Sequence, residues 1–113
     1  MLYYIYKMKK GDLLKMNSRD EMKELRDWLR HQRNMINKDP YLDYLRGRLS
    51  FRIVKWNERQ HSALVVVRDE SKPETPFNSD STHWVWVHTR STFRKWEMWR
   101  AINDMACRIK FPN

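Results

Sequence analysis

Hydrophobic positions recur along residues 18–36 at spacings of three and four, the period of a helix with one buried side. Ser18 and Glu21 stand three residues apart and match a capping box, so Ser18 is expected to cap this helix. Pro40 disfavours helical geometry in the residue before it and is expected to follow the helix end. The predicted buried stripe consists of Met22, Leu25, Trp28, Leu29, Met35 and Ile36.

A second helical pattern follows Ser91, which is expected to cap it, and ends before Pro112. Trp96 and Arg100 are four residues apart and fall outside the apolar stripe of this helix. At that spacing the guanidinium can stack on the indole as a cation–π pair worth about 0.5–1 kcal/mol at an exposed site. The predicted buried stripe consists of Met98, Ala101, Ile102, Met105, Ala106 and Ile109.

Between the helices, three segments show the alternation and the β-branched and aromatic content of strands. They cover residues 49–56, 62–68 and 83–89, and residues 2–8 form a further candidate strand. A short helical turn is expected over residues 41–48, and a polar, mobile loop over residues 70–81. The order β-α-β-β-β-α predicts a single small α+β domain over residues 1–113. Its sheet is expected to have about four mostly antiparallel strands, with the two main helices on one face.

The third of the consecutive strands has two different faces. Because side chains alternate along a strand, Val85 and Val87 share one face and the two tryptophans share the other. If the helices cover the valines, the tryptophans lie on an open face beside cations. If the helices cover the tryptophans, both rings pack in the core against Trp28 and Trp99. The residues expected on an open face are Arg52, Trp56, Arg68, Trp84, Trp86, His88 and Arg90.

Composition adds a strong positive charge to this picture. Lys and Arg number 23 against 14 Asp and Glu, and the resulting net charge of +9 commonly accompanies polyanionic partners. Only two glycines occur, which excludes a Gly-rich phosphate-binding loop. The single Cys107 excludes an intramolecular disulfide and is expected to be a quiet, partly buried thiol. No apolar run approaches the roughly 20 residues that span a bilayer. A soluble cytoplasmic protein without a membrane partner is therefore expected, located in the host cytoplasm if the source is a virus.

Part of this charge is gathered in one row of the first helix. Steps of four, three, four and three place five cations on a ridge beside the acids Asp20, Glu24 and Asp27. Under one interpretation the ridge is a solvated face with weak ion pairs, such as Asp20–Lys23 and Asp27–Arg30. Under the other, the excess cations contact phosphates or an acidic protein. The ridge consists of Arg19, Lys23, Arg26, Arg30 and Arg33.

No constellation indicates a metal or cofactor site. His83 and His88 are an odd number of residues apart, so they face opposite sides of one strand. Glu70 and Lys72 have the Glu-x-Lys spacing of metal-dependent nucleases, and Glu58 is the local candidate for a second acid. We therefore expect that the protein is not an enzyme, and a metal-dependent nuclease is a weak alternative.

The order αβββα over residues 18–109 resembles that of double-stranded-RNA-binding domains. The connection over residues 57–61 lacks the Gly-Pro-x-His type of loop that those domains place in the minor groove. The last helix begins with Arg94 and Lys95 where those domains have a longer lysine run. The resemblance concerns element order and assigns no site residue.

Charge and aromatic content together predict a basic binding protein. The first hypothesis is binding to nucleic acid, single-stranded or without sequence specificity, because rings can stack on bases while cations hold phosphates. The alternative is a small inhibitor or modulator of the phage, virus or mobile-element type, which binds an acidic surface of a larger host protein complex through Arg, Trp and Tyr. In that alternative Trp96 and Arg100 flank the arginine ridge. The candidate binding residues are Lys23, Arg26, Arg30, Arg33, Arg52, Trp56, Arg68, Trp84, Trp86, His88, Arg90, Trp96 and Arg100.

Overall fold

A computed structural model describes residues 17–73 and 81–111 of the chain. Helix α1 (Ser18–Lys38) is followed by a 3₁₀ helix (Pro40–Leu45) and by strands β1 (Leu49–Asn57), β2 (Ser62–Asp69) and β3 (Thr82–His88). Helix α2 (Arg94–Lys110) ends the described part. The candidate strand over residues 2–8 and most of the predicted loop over residues 70–81 lie outside the described residues. Neither described helix is long and apolar enough to cross a membrane.

The described strands form an antiparallel three-stranded sheet in the order β1-β2-β3. The α+β class, the two main helices and the antiparallel pairing are thus confirmed, whereas the expected fourth strand is absent from the part of the chain that the structure describes. The valine-rich β2 lies in the centre of this sheet. Valine suits such a position because its branched side chain packs well on a pleated surface.

Both helix caps differ from the sequence prediction. The N-cap of α1 is Asn17, whose side-chain oxygen accepts from the Asp20 backbone N–H over 2.9 Å. Ser18 instead donates its hydroxyl to Glu58 across 3.0 Å, so the predicted capping box does not form. Helix α2 begins at Arg94, after a turn in which Ser91 Oγ accepts from the backbone N–H of Phe93. Ser91 therefore stabilises the approach to α2 without capping it.

A β-bulge in β1 changes which face its last residues occupy. Ile53 is paired with Val65, but the next pair is Lys55 with Leu64, so Val54 is an extra residue in the ladder. A bulge of one residue reverses the alternation that follows it. Trp56 consequently pairs with Ala63 on the helix side of the sheet and packs against the core, which contradicts its predicted place on the open face.

One core fills the space between the helices and a single face of the sheet. The buried rows of both helices follow the predicted stripes, except that Met22 and Ile109 are partly buried and Met35 is 48% exposed. Met35 lies at the margin of α1 because the buried row continues through Gln32 and Ile36. Trp28 is the largest fully buried side chain. The apolar core comprises Leu25, Trp28, Leu29, Ile36, Leu45, Leu49, Ala63, Val65, Val67, Val87, Met98, Ala101, Ile102, Met105 and Ala106.

A buried ion pair joins the two helices inside this core. Arg94 Nη1 donates to Glu24 Oε2 over 2.8 Å, and both side chains are almost completely buried. The guanidinium carbon of Arg94 also lies 4.4 Å from the centre of the Trp28 ring. The pair fixes the start of α2 against the second turn of α1, and it removes Glu24 from the exposed acidic row that the sequence predicted.

A second buried carboxylate ties α1 to the loops at one end of the sheet. Glu21 accepts from Thr89 Oγ1 over 2.9 Å and from Arg90 Nη2 over 2.6 Å, and His61 Nδ1 lies 3.1 Å from its Oε1. Charge-assisted hydrogen bonds of this kind are stronger than neutral ones and offset the cost of burying the carboxylate. Glu21 is therefore an anchor between elements rather than a capping residue.

Candidate functional site

The face of the sheet opposite the core carries two exposed tryptophans. Trp84 is 55% exposed and Trp86 is 38% exposed, while Val87 on the other face of β3 is fully buried. The interpretation with both rings on an open face is therefore confirmed, and the interpretation with both rings in the core is wrong. We call the group of Arg52, Lys55, Leu64, Val66, Trp84 and Trp86 the tryptophan face.

Strand register arranges the tryptophan face in two parallel rows. One row runs Arg52, Val66, Trp84 across the three strands, and the next runs Lys55, Leu64, Trp86. Neighbouring strands are about 4.8 Å apart, so the backbone of each cation lies roughly 10 Å from that of the tryptophan in its row. Val66 is only 6% exposed although it is on this face. On this face, the apolar side chains of β2 therefore lie between the tryptophans of β3 and the cations of β1.

A second candidate surface is a groove of about 310 Å³ between β1 and α1. Three ridge arginines line it together with Arg52, while Leu29, Phe51 and Ile53 supply apolar lining. Helix α1 presents this row because its opposite side is buried against the sheet. We call the site formed by Arg26, Leu29, Arg30, Arg33, Ser50, Phe51, Arg52 and Ile53 the arginine groove.

The groove cations are weakly neutralised. Arg26, Arg33 and Arg52 make no ion pair with any described residue, and all three are exposed. Arg30 approaches Asp27 at 4.0 Å with its side chain 75% exposed, a geometry that contributes well under 1 kcal/mol. The expected Asp20–Lys23 pair does not form among the described residues. Lys23 lies on the same ridge but does not line the groove.

Arg52 belongs to both surfaces. It stands in the same cross-strand row as Trp84, and it lines the groove with the ridge arginines. This is possible because β1 is an edge strand of the described sheet, where no further strand separates a long side chain on one face from the groove beside α1. The tryptophan face and the arginine groove therefore form one continuous surface around the edge of the sheet.

Three other predicted site residues are engaged within the protein. Arg68 donates to Glu70 over 2.7 Å and to the backbone oxygen of Lys72 over 2.8 Å. His88 Nδ1 lies 2.7 Å from Glu97 Oε2. Arg90 is held by the buried Glu21, as described above. Together with Trp56, which the bulge moves into the core, these residues lie outside the candidate surface.

The Arg68–Glu70 pair marks the end of the cationic surface. A hydrogen bond from Ser50, together with the neighbouring Arg68 guanidinium, holds the pKa of the Glu70 carboxyl below its ordinary value. Arg33 contributes to the same lowering through its charge. Glu70 is therefore ionised at neutral pH, and its negative charge interacts with the positive charge of Arg33 in the arginine groove.

The Trp96–Arg100 pair lies beside β3, at the edge of the sheet opposite to β1 and the arginine groove. The Arg100 guanidinium carbon is 4.8 Å from the centre of the Trp96 ring, which confirms the predicted stacking. Both residues line a separate groove of about 400 Å³ between α2 and β3, together with His83, Val85, Glu97 and Asp104. They do not flank the arginine ridge, because β1 and β3 are the two outer strands of the described sheet.

The groups considered for catalysis do not converge. Glu58 lies in the turn before β2 and Glu70 lies just after it, so the length of the strand, about 25 Å, separates the two acids. His83 Nδ1 lies 2.6 Å from Asp104 Oδ2. Among residues 17–73 and 81–111, no group of three His, Cys, Asp or Glu side chains is placed to hold a metal ion. Cys107 is exposed, which contradicts its expected partial burial.

Among the cations of the two surfaces, sequence reasoning missed Lys55. A regular alternation from Ile53 places Lys55 on the core face, and only the bulge at Val54 returns it to the tryptophan face. No residue type in this strand signals the bulge.

Comparison of the chain with protein-family models, with curated proteins and with solved structures finds no match in any of the three.

Proposed function

We propose that this protein is a non-enzymatic binding protein for single-stranded nucleic acid and that the tryptophan face holds the bases. The proposal is carried by one observation. Two exposed indoles stand in register with two exposed cations, Arg52 and Lys55, that make no ion pair with a described residue. A cytoplasmic location, where such strands are abundant, is part of the proposal.

Stacking on the tryptophans supplies affinity without demanding a particular base. Trp84 and Trp86 are two residues apart on one strand, so their rings are roughly 7 Å apart along the strand axis. Base–aromatic stacking is worth about 1–3 kcal/mol per base, because every base has a π face. The apolar Val66 and Leu64 beside the rings offer further contact area.

The same geometry favours single strands over duplex. Bases in a duplex are stacked on each other, so their faces are not available to protein side chains unless the pairs are opened. Arg52 and Lys55 lie across β2 from the rings and can hold the phosphates of a strand whose bases are already splayed. We therefore expect little affinity for fully paired RNA or DNA at moderate salt.

Fluorescence anisotropy with labelled oligonucleotides tests this proposal. Trp84→Ala and Trp86→Ala are each expected to weaken binding of single-stranded RNA or DNA about fivefold to one hundredfold. Trp96→Ala is the matched control, because Trp96 is 58% exposed but lines a groove with Val85, on the face of β3 opposite to Trp84 and Trp86. Equal losses in all three variants, or no loss in the first two, contradict the proposal.

A second candidate function is supported by the outer side of α2. Phe93, Trp96 and Trp99 are 68%, 58% and 39% exposed. Exposed aromatic side chains grouped with arginine are typical of the energetically important residues of protein interfaces. This favours the alternative of a small modulator that binds a protein complex through α2.

A pull-down with and without nuclease treatment separates the two functions. Partners retained through nucleic acid are lost after nuclease treatment and in the Trp84→Ala/Trp86→Ala variant. A protein partner bound through α2 survives nuclease treatment and is lost in the Trp96→Ala/Trp99→Ala variant. Retention of the same protein by the second variant contradicts a role for the outer side of α2.

A further inference from the structure

We propose that the arginine groove extends the binding site, so that a single strand stacked on Trp84 and Trp86 turns around the edge of the sheet at Arg52 and continues along α1. This inference rests on the proposed function of the tryptophan face. It adds a defined substrate class: single strands long enough to occupy both sides of β1.

The groove has the two kinds of lining that a nucleotide chain needs. Arg26, Arg30 and Arg33 are exposed along its rim, where guanidinium groups can hold phosphates in a bidentate manner. Leu29, Phe51 and Ile53 line it with apolar atoms against which a base or sugar can pack. A free inorganic phosphate makes no use of that apolar lining, so an extended chain is the better fit.

The arginine groove is continuous with the tryptophan face, and this continuity defines the path of the bound strand. Arg52 is the one residue that takes part in both surfaces, and it occupies the edge strand. A duplex is too stiff to follow such a turn, because the persistence length of DNA is about 50 nm. A flexible single strand can bend around one β-strand while its phosphates remain near Arg52.

The dimensions indicate the length of the strand. The two rings span roughly 7 Å along β3, and crossing to Arg52 adds roughly 10 Å. Arg26 to Arg33 spans seven helical residues, which adds about 10 Å. At the stacked rise of 3.4 Å per nucleotide this path of roughly 27 Å accommodates about eight nucleotides, and fewer if the strand is stretched. A tetranucleotide covers only the tryptophan face, whereas a dodecanucleotide covers both surfaces.

The test measures how tightly the wild type, a groove variant and a control variant of the full chain bind the tetranucleotide and the dodecanucleotide. The groove variant carries Arg26→Gln, Arg30→Gln and Arg33→Gln. The control variant carries Arg19→Gln, Arg59→Gln and Lys95→Gln, which remove the same charge from exposed positions outside the groove. All six side chains are exposed, and thermal unfolding followed by circular dichroism verifies that both variants fold.

The groove variant is expected to bind the dodecanucleotide at least tenfold more weakly than the control variant does, and the tetranucleotide equally well. For the groove variant, the slope of log K against the logarithm of the salt concentration is expected to be shallower by about 2. Three phosphate contacts are lost, and each contributes about 0.7 to the slope. Equal dodecanucleotide affinity in the two variants overturns the extended path. Loss of tetranucleotide binding in the groove variant also overturns it, because the groove then belongs to the primary contact.

Failure of the extended path is distinguishable from failure of the proposed function. If Trp84→Ala weakens tetranucleotide binding while the groove variant behaves like the control, the tryptophan face stands and only the path is wrong. If Trp84→Ala changes neither oligonucleotide, the proposed function fails and the path fails with it. In that case, a loss confined to the groove variant identifies the groove as a separate polyanion site.

Discussion

Arg94 shows how a single buried charge can hold two helices together. Its guanidinium lies between the Glu24 carboxylate and the face of Trp28, and neither ion is exposed to water. Arg94→Met is expected to lower the free energy of unfolding by about 3–5 kcal/mol, because it removes one partner of a buried ion pair. Urea unfolding at neutral pH measures this loss.

A double-mutant cycle checks the cause. Glu24→Gln in the Arg94→Met background removes the buried negative charge as well, so the double variant is expected to be more stable than Arg94→Met alone. Additive losses from the two single substitutions contradict a direct coupling between these side chains.

Asp69 links stability to pH. Burial by itself raises the pKa of its carboxyl, but hydrogen bonds from Arg48 and Ser71 outweigh burial and hold the pKa below its ordinary value of 3.8. A carboxylate with a lowered folded-state pKa stabilises the fold above the ordinary value, and this contribution is lost as the pH falls through the folded pKa. We expect the free energy of unfolding to fall in acid, below about pH 4.

Comparison of Asp69→Asn with the wild type between neutral and acidic pH tests this. The variant is expected to be less stable by about 1–3 kcal/mol at neutral pH, with the difference shrinking in acid. Asp43→Asn is the control, since Asp43 is exposed and forms no ion pair with a described residue. A difference between wild type and Asp69→Asn that does not vary with pH contradicts the assignment.

Burial of charged residues is one feature of the fold that sequence patterns did not reveal. Periodicity identified the apolar rows of both helices, because a hydrophobic side chain signals burial by its type. Glu21, Glu24 and Arg94 are buried for a different reason, namely that each finds an opposite charge on a distant element. Such pairing depends on how the elements are packed together, and residue type alone points to exposure.

The first turn of α1 allows the helix cap to be tested at the level of one element. Asn17→Ala is expected to lower the free energy of unfolding by about 1 kcal/mol, because the Asp20 backbone N–H loses its side-chain acceptor. Ser18→Ala removes only the exposed hydrogen bond to Glu58 and is expected to cost less. Urea unfolding of both variants compares them directly. A larger effect at Ser18 than at Asn17 indicates that Ser18 is the cap.

The strands show where prediction from alternation succeeds and where it stops. The predicted strand segments lie within two residues of β1, β2 and β3, since β-branched and aromatic runs bounded by polar turns are strong local signals. The faces of β3 follow from simple alternation, which placed Trp84 and Trp86 together. In β1 the bulge at Val54 exchanges the faces of Lys55 and Trp56, and its cause lies in cross-strand pairing that a single strand does not encode.

The position of the positive charges must be distinguished from the total charge of the protein. A net charge of +9 attracts any polyanion at long range, and this attraction weakens with salt. The proposed site adds a local requirement, because Arg52 joins the tryptophan face to the arginine groove. Substitutions that change the net charge equally at different places separate the two contributions.

Arg52→Glu and Lys95→Glu each lower the net charge by two units, since one positive charge is replaced by a negative one. Both residues are exposed, but Lys95 lies on α2 outside both surfaces. Stopped-flow tryptophan fluorescence with a single-stranded dodecanucleotide is expected to show slower association in both variants at low salt. Faster dissociation is expected only in Arg52→Glu, because only that variant removes a contact made in the complex and places a carboxylate beside the phosphates. Dissociation rates that rise equally in both variants indicate that the protein binds through its overall field, and the surface around Arg52 then has no special role.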